Sequence, residues 1–222
     1  MAKQVTESIG KLMGLRYKSH PWHGIDIGPD APEIVTSYIE MVPVDTVKYE
    51  VDKVSGYLKI DRPQKFSNQV PTLYGFIPQT YSGDLVAGFN TDGHQEKISG
   101  DGDPIDICVL TEKVISHGDI LVQARPIGSL RMIDNQHADD KIIAVLKDDA
   151  VYGRYKDISD VPTEIIDRLR HYFLTYKDLP GEKRDCYITS ELGIQETHEL
   201  INLAVKDYQH RFANLESILS AL

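Results

Sequence analysis

The stretch Gly100–Leu110, GDGDPIDICVL, sets three carboxylates, Asp101, Asp103 and Asp106, within six residues and then enters an apolar run. Like charges this close repel one another unless cations sit among them. Carboxylates are hard oxygen donors, suited to magnesium or calcium. The plain alternative is an Asp-Gly-Asp-Pro turn without a ligand. A calcium EF-hand is excluded. Counted from Asp101, the position that needs glycine is Asp106, and the one before it, which should offer an oxygen, is Ile105. A second acidic group, Asp134-Asn135-Gln136-His137-Ala138-Asp139-Asp140-Lys141, also precedes an apolar run. Together the two make a repeated pattern of acids on loops at strand ends, where sites are commonly built.

Three smaller signals accompany them. Lys48 and Glu50 share the polar face of an alternating stretch, with Arg62 at the end of its hairpin partner. Tyr176-Lys177 closes a helical pattern, and Tyr74-Gly75-Phe76 adds a phenol before a loop. Each has an ordinary reading: a surface ion pair, a helix-end lysine, a packed aromatic.

The elements that must carry these groups follow from periodicity. Ile34–Val42 and Val47–Val51 alternate as strands, and Tyr57–Asp61 completes a hairpin with the latter. Further strands are expected at Ile105–Leu110, Ile120–Ile127 and Lys141–Leu146. His20–Pro32 reads as irregular coil, and Ile9, Leu12, Met13 and Leu15 suggest a short amphipathic helix before it. Tyr81–Gly100 has no clear period and reads as an extended surface loop or ribbon. After Pro162, the residues Ile165, Leu169, Tyr172, Phe173 and Tyr176 recur at helical spacing; so do Ile201, Val205, Tyr208, Phe212, Leu215 and Leu219. Short strands followed by helices imply an α+β domain, mainly β, a small barrel or sheet with helices against it.

Composition narrows the function. The chain has 222 residues, 41% hydrophobic and 26% charged, which suits one domain with an ordinary core. Its formal charge of −10 opposes general binding to nucleic acid or anionic membrane. It still permits an anionic substrate where metal ions reverse the local sign. Cys108 and Cys186 form no ligand pair, and a reducing cytosol is the expected compartment. No apolar run approaches the roughly 18–20 residues of a membrane span, and the first residues show no signal-peptide stretch. Phosphate-loop, dinucleotide, nucleophile-elbow and zinc-protease signatures are absent, and the eight histidines show no ligand spacing.

GDGDPIDICVL resembles the D-x-D-P-x-D signature of soluble family I inorganic pyrophosphatases. The resemblance runs collinearly from His20-Pro-Trp-His23 through Ile39-Glu40, Val47-Lys-Tyr-Glu-Val51, Ile60-Asp-Arg62, Tyr74-Gly-Phe76, Arg125-Pro-Ile-Gly128, and Met132-Ile-Asp134 to Asp139-Asp-Lys141 and Tyr176-Lys177-Asp178. It weakens from Glu182 onward and leans toward the plant-type branch. It implies an OB-like five-stranded β-barrel with flanking helices, one domain over 1–222 with an N-terminal extension (1–33) and an inserted loop (82–100). It also implies hydrolysis of pyrophosphate to two orthophosphates with several Mg2+ ions, for which Mn2+ or Zn2+ would substitute. A cytoplasmic homo-oligomer that binds neither nucleic acid nor membrane is expected.

Carried onto this chain by motif position, the resemblance makes Asp101, Asp106 and Asp139 ligands of the primary metals. Asp103 becomes the group that orients and deprotonates water. Asp134, Glu50 and Glu40 serve metals that arrive with substrate, and Lys48, Arg62, Tyr74, Lys141, Tyr176 and Lys177 contact phosphate. Seven carboxylates against four cations, with a substrate of about −4, call for about three or four divalent ions. Two departures stand out. Val70 and Leu73 occupy positions where the family often has tyrosine and asparagine, so one phenol is missing from the site's edge. Segment 82–100, with Asp92 and His94, lies immediately before Asp101 and is expected to be structural, a flap or a subunit contact. A different small polyphosphate such as a nucleoside triphosphate is the second reading, and a nucleic-acid-binding OB module, which the charge opposes, is the third.

Overall fold

A computed structural model describes residues 18–65, 68–91, 98–177 and 185–221. In chain order its strands are β1 (Val35–Met41), β2 (Val47–Val51), β3 (Leu58–Pro63), β4 (Leu73–Phe76), β5 (Ser99–Gly100), β6 (Asp106–Leu110), β7 (Ile120–Asp134), β8 (His137–Ala138), β9 (Lys141–Leu146) and β10 (Cys186–Leu192). The helices are α1 (Asp84–Thr91), α2 (Thr163–Thr175) and α3 (Ile194–Ala221).

Strands β1, β4, β6, β9 and β7 pair in that order, and β7 pairs back onto β1. The ring closes, which makes the α+β, mainly β, OB-like barrel expected from the sequence. Only the β6–β9 pair in the ring is parallel, and it sets Asp106 directly beside Lys141. One close approach requires glycine: a Cβ on Gly75 would lie 1.9 Å from the Tyr38 carbonyl oxygen.

Both faces of the barrel strands are covered. Along β6, Ile107 and Val109 join one core and Cys108 and Leu110 the other; along β9, Ile142 and Ala144 alternate with Ile143 and Val145. The first core takes Leu200, Ile201 and Ala204 from α3 and Val86 from α1. The second takes Ile166, Leu169, Tyr172 and Phe173 from α2. This explains why β1 is buried at every position instead of alternating.

Several expectations change. Strand β7 continues past Ile127 to Asp134, through an irregularity between Pro126 and Gly128 that lets it serve β9 and then β10. Strand β10, not anticipated, alternates half-buried and exposed residues. Within Tyr81–Gly100, expected to be an extended loop or ribbon, residues 84–91 form helix α1, with Val86, Ala87 and Asn90 buried. Eight residues are too few to display a helical period, and Gly88 and Asn90 weaken the propensity. The Asp207 carboxylate, more than a hundred residues away on α3, accepts from Leu85 N (3.0 Å) and Val86 N (3.0 Å). Such a tertiary cap leaves no local trace. The expected N-terminal helix around Ile9–Leu15, Asp92 and His94, Asp178, and the side chains of Leu215 and Leu219 lie outside the described residues.

Candidate active site

Barrel pairing brings the acidic loops together. Asp106 opens β6, Lys141 opens β9, Asp134 closes β7, and Asp101 and Asp103 lie on the turn between β5 and β6. The β2–β3 hairpin, a separate two-stranded sheet, adds Lys48 and Glu50. A pocket of about 300 Å³ results, lined by Glu40, Lys48, Glu50, Tyr74, Asp101, Asp103, Asp106, Asp134, Asp139, Lys141, Tyr176 and Lys177. All but one of the residues singled out from the sequence therefore converge. Arg62 stands just outside the lining, paired with Asp61, its guanidinium 5.8 Å from the centre of the Tyr176 ring. Its Nη2 is buried and has no hydrogen-bond partner among the described residues.

Lysines and carboxylates are interleaved. Lys141 Nζ donates to Asp106 Oδ2 at 2.5 Å and also pairs with Asp139. Tyr74 Oη donates to the same Asp106 oxygen at 2.6 Å. Lys177 Nζ meets Asp134 Oδ2 at 2.6 Å, and Lys48 Nζ meets Glu50 Oε2 at 3.1 Å. Asp101 Oδ1 accepts from Asp103 N at 2.9 Å, so this turn is held by its own side chain. Glu40, buried on β1, accepts from Val51 N at 2.7 Å and so ties the hairpin to the barrel.

Electrostatics follow from burial. Burial lifts the Glu40 carboxyl to about 8, helped by Asp106 and Glu50. Asp101 keeps an exposed surface, yet desolvation by the surrounding protein, then Asp139 and Asp103, push it up; Asp139 is also raised by burial, against the pull of Lys141. The Lys141 ammonium is held charged against burial by Asp106 and Asp139. Among the described residues no three His, Cys, Asp or Glu side chains already converge on one ion position, because lysine ammoniums stand between them. The donor set is still all carboxylate oxygen, and its raised acids mark charge that a hard dication would relieve.

Seven lining residues were given no role from the sequence, among them Val51, Phe76 and Pro104. Lys53, in the hairpin turn, pairs with Asp103, and Trp22, Asn135 and His137 also face the pocket. Trp22 is buried in an aromatic cluster with Tyr81, Tyr208 and Phe212, and its Nε1 donates to Thr80 O at 2.8 Å. Nothing local in the sequence marks Lys53 as different from any turn lysine. Val70 and Leu73, the two departures, are buried and do not line the pocket.

Comparison with known proteins gives the family. A family model described as inorganic pyrophosphatase matches residues 37–209. An inorganic pyrophosphatase of Chlamydia trachomatis is 50% identical over 200 residues, covering 87% of this chain and 96% of that protein. A soluble inorganic pyrophosphatase of Oryza sativa is 38% identical over 190 residues, covering 86% and 79%, so the plant-type likeness is present but weaker than the chlamydial one. The crystal structure of inorganic pyrophosphatase from Thermus thermophilus superposes with a TM-score of 0.72 at 29% identity, covering 86% of this chain and 99% of that one. The family-model match over residues 37–209 and the 50% identical relative, on a chain whose OB-like barrel carries a pocket of paired carboxylates and lysines, place this protein in the inorganic pyrophosphatase family, whose reaction is the hydrolysis of pyrophosphate with divalent metal ions.

Proposed function

We propose that this chain divides the reaction among its residues as follows, with Mg2+ as the metal. Asp101, Asp106 and Asp139 would hold the primary ions, and Asp134, Glu50 and Glu40 those that accompany substrate. Bound divalent cations supply charge neutralisation and acidify water, which phosphoryl transfer requires. Asp103 orients the attacking water and takes its proton. Lys48, Arg62, Lys141 and Lys177 neutralise phosphate oxygens as charge spreads over them, and Tyr74 and Tyr176 donate hydrogen bonds.

The observation that carries this reading is the interleaving itself. Each ammonium now paired with an acid (Lys141 with Asp106 and Asp139, Lys177 with Asp134) is freed for phosphate when cations take over the carboxylates. The buried, unpaired Nη2 of Arg62 supports a donor kept for substrate at the rim. Asp103, half-exposed and paired with a turn lysine among the described residues, suits a group that must meet water.

The same reading makes the protein a cytoplasmic homo-oligomer. It rests on the family. Orthophosphate release from pyrophosphate and from ATP, with Mg2+, with Mn2+ or Zn2+, and with chelator, tests substrate and metal. Asp103→Asn should keep fold and Mg2+ binding while losing about 10²–10⁴-fold in turnover. Near-wild-type turnover in that variant would overturn the role of Asp103, and preference for ATP with Mg2+ would overturn the substrate.

A further inference from the structure

Two carboxylates on different loops can share a set of ions only if the spacing between those loops is held. Asp101 lies on the turn after β5 and Asp139 on the turn after β8. These two strands pair over only two residues, Ser99 with His137 and Gly100 with Ala138, which is too short a ladder to hold the spacing by itself.

We propose that Ser82 is the positioning residue that locks the Asp101–Asp103 turn to the Asp139 turn. The proposal rests on reading Asp101 and Asp139 as metal ligands. Ser82 is 2% exposed and does not line the pocket. Its hydroxyl accepts from Asp101 N (3.4 Å) and donates to Ala138 O (3.1 Å), so one side chain joins the two turns. Its main chain grips the first turn at two more points: Ser82 N donates to Asp103 O (2.8 Å), and Gly102 N donates to Ser82 O (3.1 Å). The fit is close enough that a Cβ on Gly100 would lie 2.1 Å from Ser82 O.

Ser82 is itself held from behind. Asp207, buried on α3, accepts from Gly83 N (3.1 Å), Leu85 N (3.0 Å) and Val86 N (3.0 Å). At the other end of α1, Asn90 Nδ2 donates to Asp140 Oδ2 at 2.6 Å, next to Asp139. Segment 82–91 therefore acts as a brace anchored on the C-terminal helix, and not as a flap over the pocket. Groups outside a metal site that orient its ligands typically carry about 10–100-fold in metal affinity or activity.

The test is calorimetric titration of chelator-stripped protein with Mg2+, alongside the Mg2+ dependence of pyrophosphate hydrolysis. Ser82→Ala removes the hydroxyl and keeps the main-chain bonds. It should weaken Mg2+ binding about tenfold, while most of kcat returns at saturating Mg2+. The melting midpoint of the stripped protein should fall by only about 2–4 °C. Thr197→Ala is the control, because it removes another buried hydroxyl, bonded to Ser129 Oγ at 3.1 Å. It should lower the midpoint comparably and leave Mg2+ affinity unchanged. Unaltered Mg2+ affinity in Ser82→Ala, or an equal loss in Thr197→Ala, overturns the proposal. Asp139→Asn separates the two layers. If it abolishes tight Mg2+ binding while Ser82→Ala changes nothing, only the brace fails; if it also binds normally, the ligand reading fails and the brace with it.

Discussion

On the barrel side of the pocket, Lys141 is 1% exposed and its ammonium lies between Asp106 and Asp139. On the hairpin side, Lys53 pairs with Asp103 while its side chain stays 48% exposed. Lys141 and Asp106 sit on neighbouring strands of the closed ring, whereas the hairpin pairs only with itself and reaches the barrel through bonds such as Glu40 to Val51 N. Similar ion pairs thus have different weight. A buried pair leaves an uncompensated charge when broken, and an exposed one exchanges its partner for water. The barrel side suits fixed ligand geometry, and the hairpin side suits groups that must adjust to substrate.

The largest effect is expected from Lys141→Met. It should lower turnover by about 10²–10³-fold, as loss of a preorganised charge-stabilising donor does. In chelator it should destabilise the protein by about 3 kcal/mol, because two crowded carboxylates lose their cation. Stopped assays and urea melts measure both. A loss no larger than that of Lys53→Gln would erase the distinction between the walls.

Next in size is Arg62→Gln. A charged hydrogen bond to phosphate is worth about 1.5–3 kcal/mol, so kcat/KM should fall about 10–100-fold while metal-free stability barely moves. An unchanged kcat/KM would remove Arg62 from the phosphate set.

A pH measurement sharpens the barrel side further. Glu40 titrates near 8 in the folded protein against an ordinary 4.5, because it is buried. The native state then binds this proton more tightly than the unfolded state. Its contribution is complete below about 4.5 and is lost as pH rises through about 8. Raised Asp101 and Asp139 act in the same sense. Chelated wild-type protein should therefore lose stability from pH 5 to pH 8, and Glu40→Gln should flatten part of that slope. A slope of opposite sign, or none, would contradict the burial argument.

The smallest effect belongs to Lys53→Gln. Its exposed pair should contribute under about 1 kcal/mol, and less at high salt. A larger loss in urea melts would mean that the hairpin is held through Asp103 and not through Glu40.

Much of this was legible beforehand for a physical reason. Asp101, Asp103 and Asp106 lie within six residues, and Asp134 through Lys141 within eight, so short-range chemistry carried the signal. The hairpin at Lys48 and Glu50 and the helix ending at Tyr176 followed from period-2 and period-3.6 patterns. Helix α1 was not legible, because its cap is a tertiary one, and β10 was not, because its pairing with β7 depends on where β7 turns.

By itself, then, the sequence determined which residue types could do the chemistry, some of the strands and helices that carry them, and the family; strand β4 under Tyr74 and the end of β7 at Asp134 came only with the fold. Only the tertiary structure decided that Lys53 stands against Asp103, that Arg62 lies outside the lining, and that Ser82 joins the Asp101 and Asp139 turns, 38 residues apart in the chain. Those facts depend on distances set by barrel closure and the C-terminal helix, and residues far apart in the chain carry no local pattern of such distances.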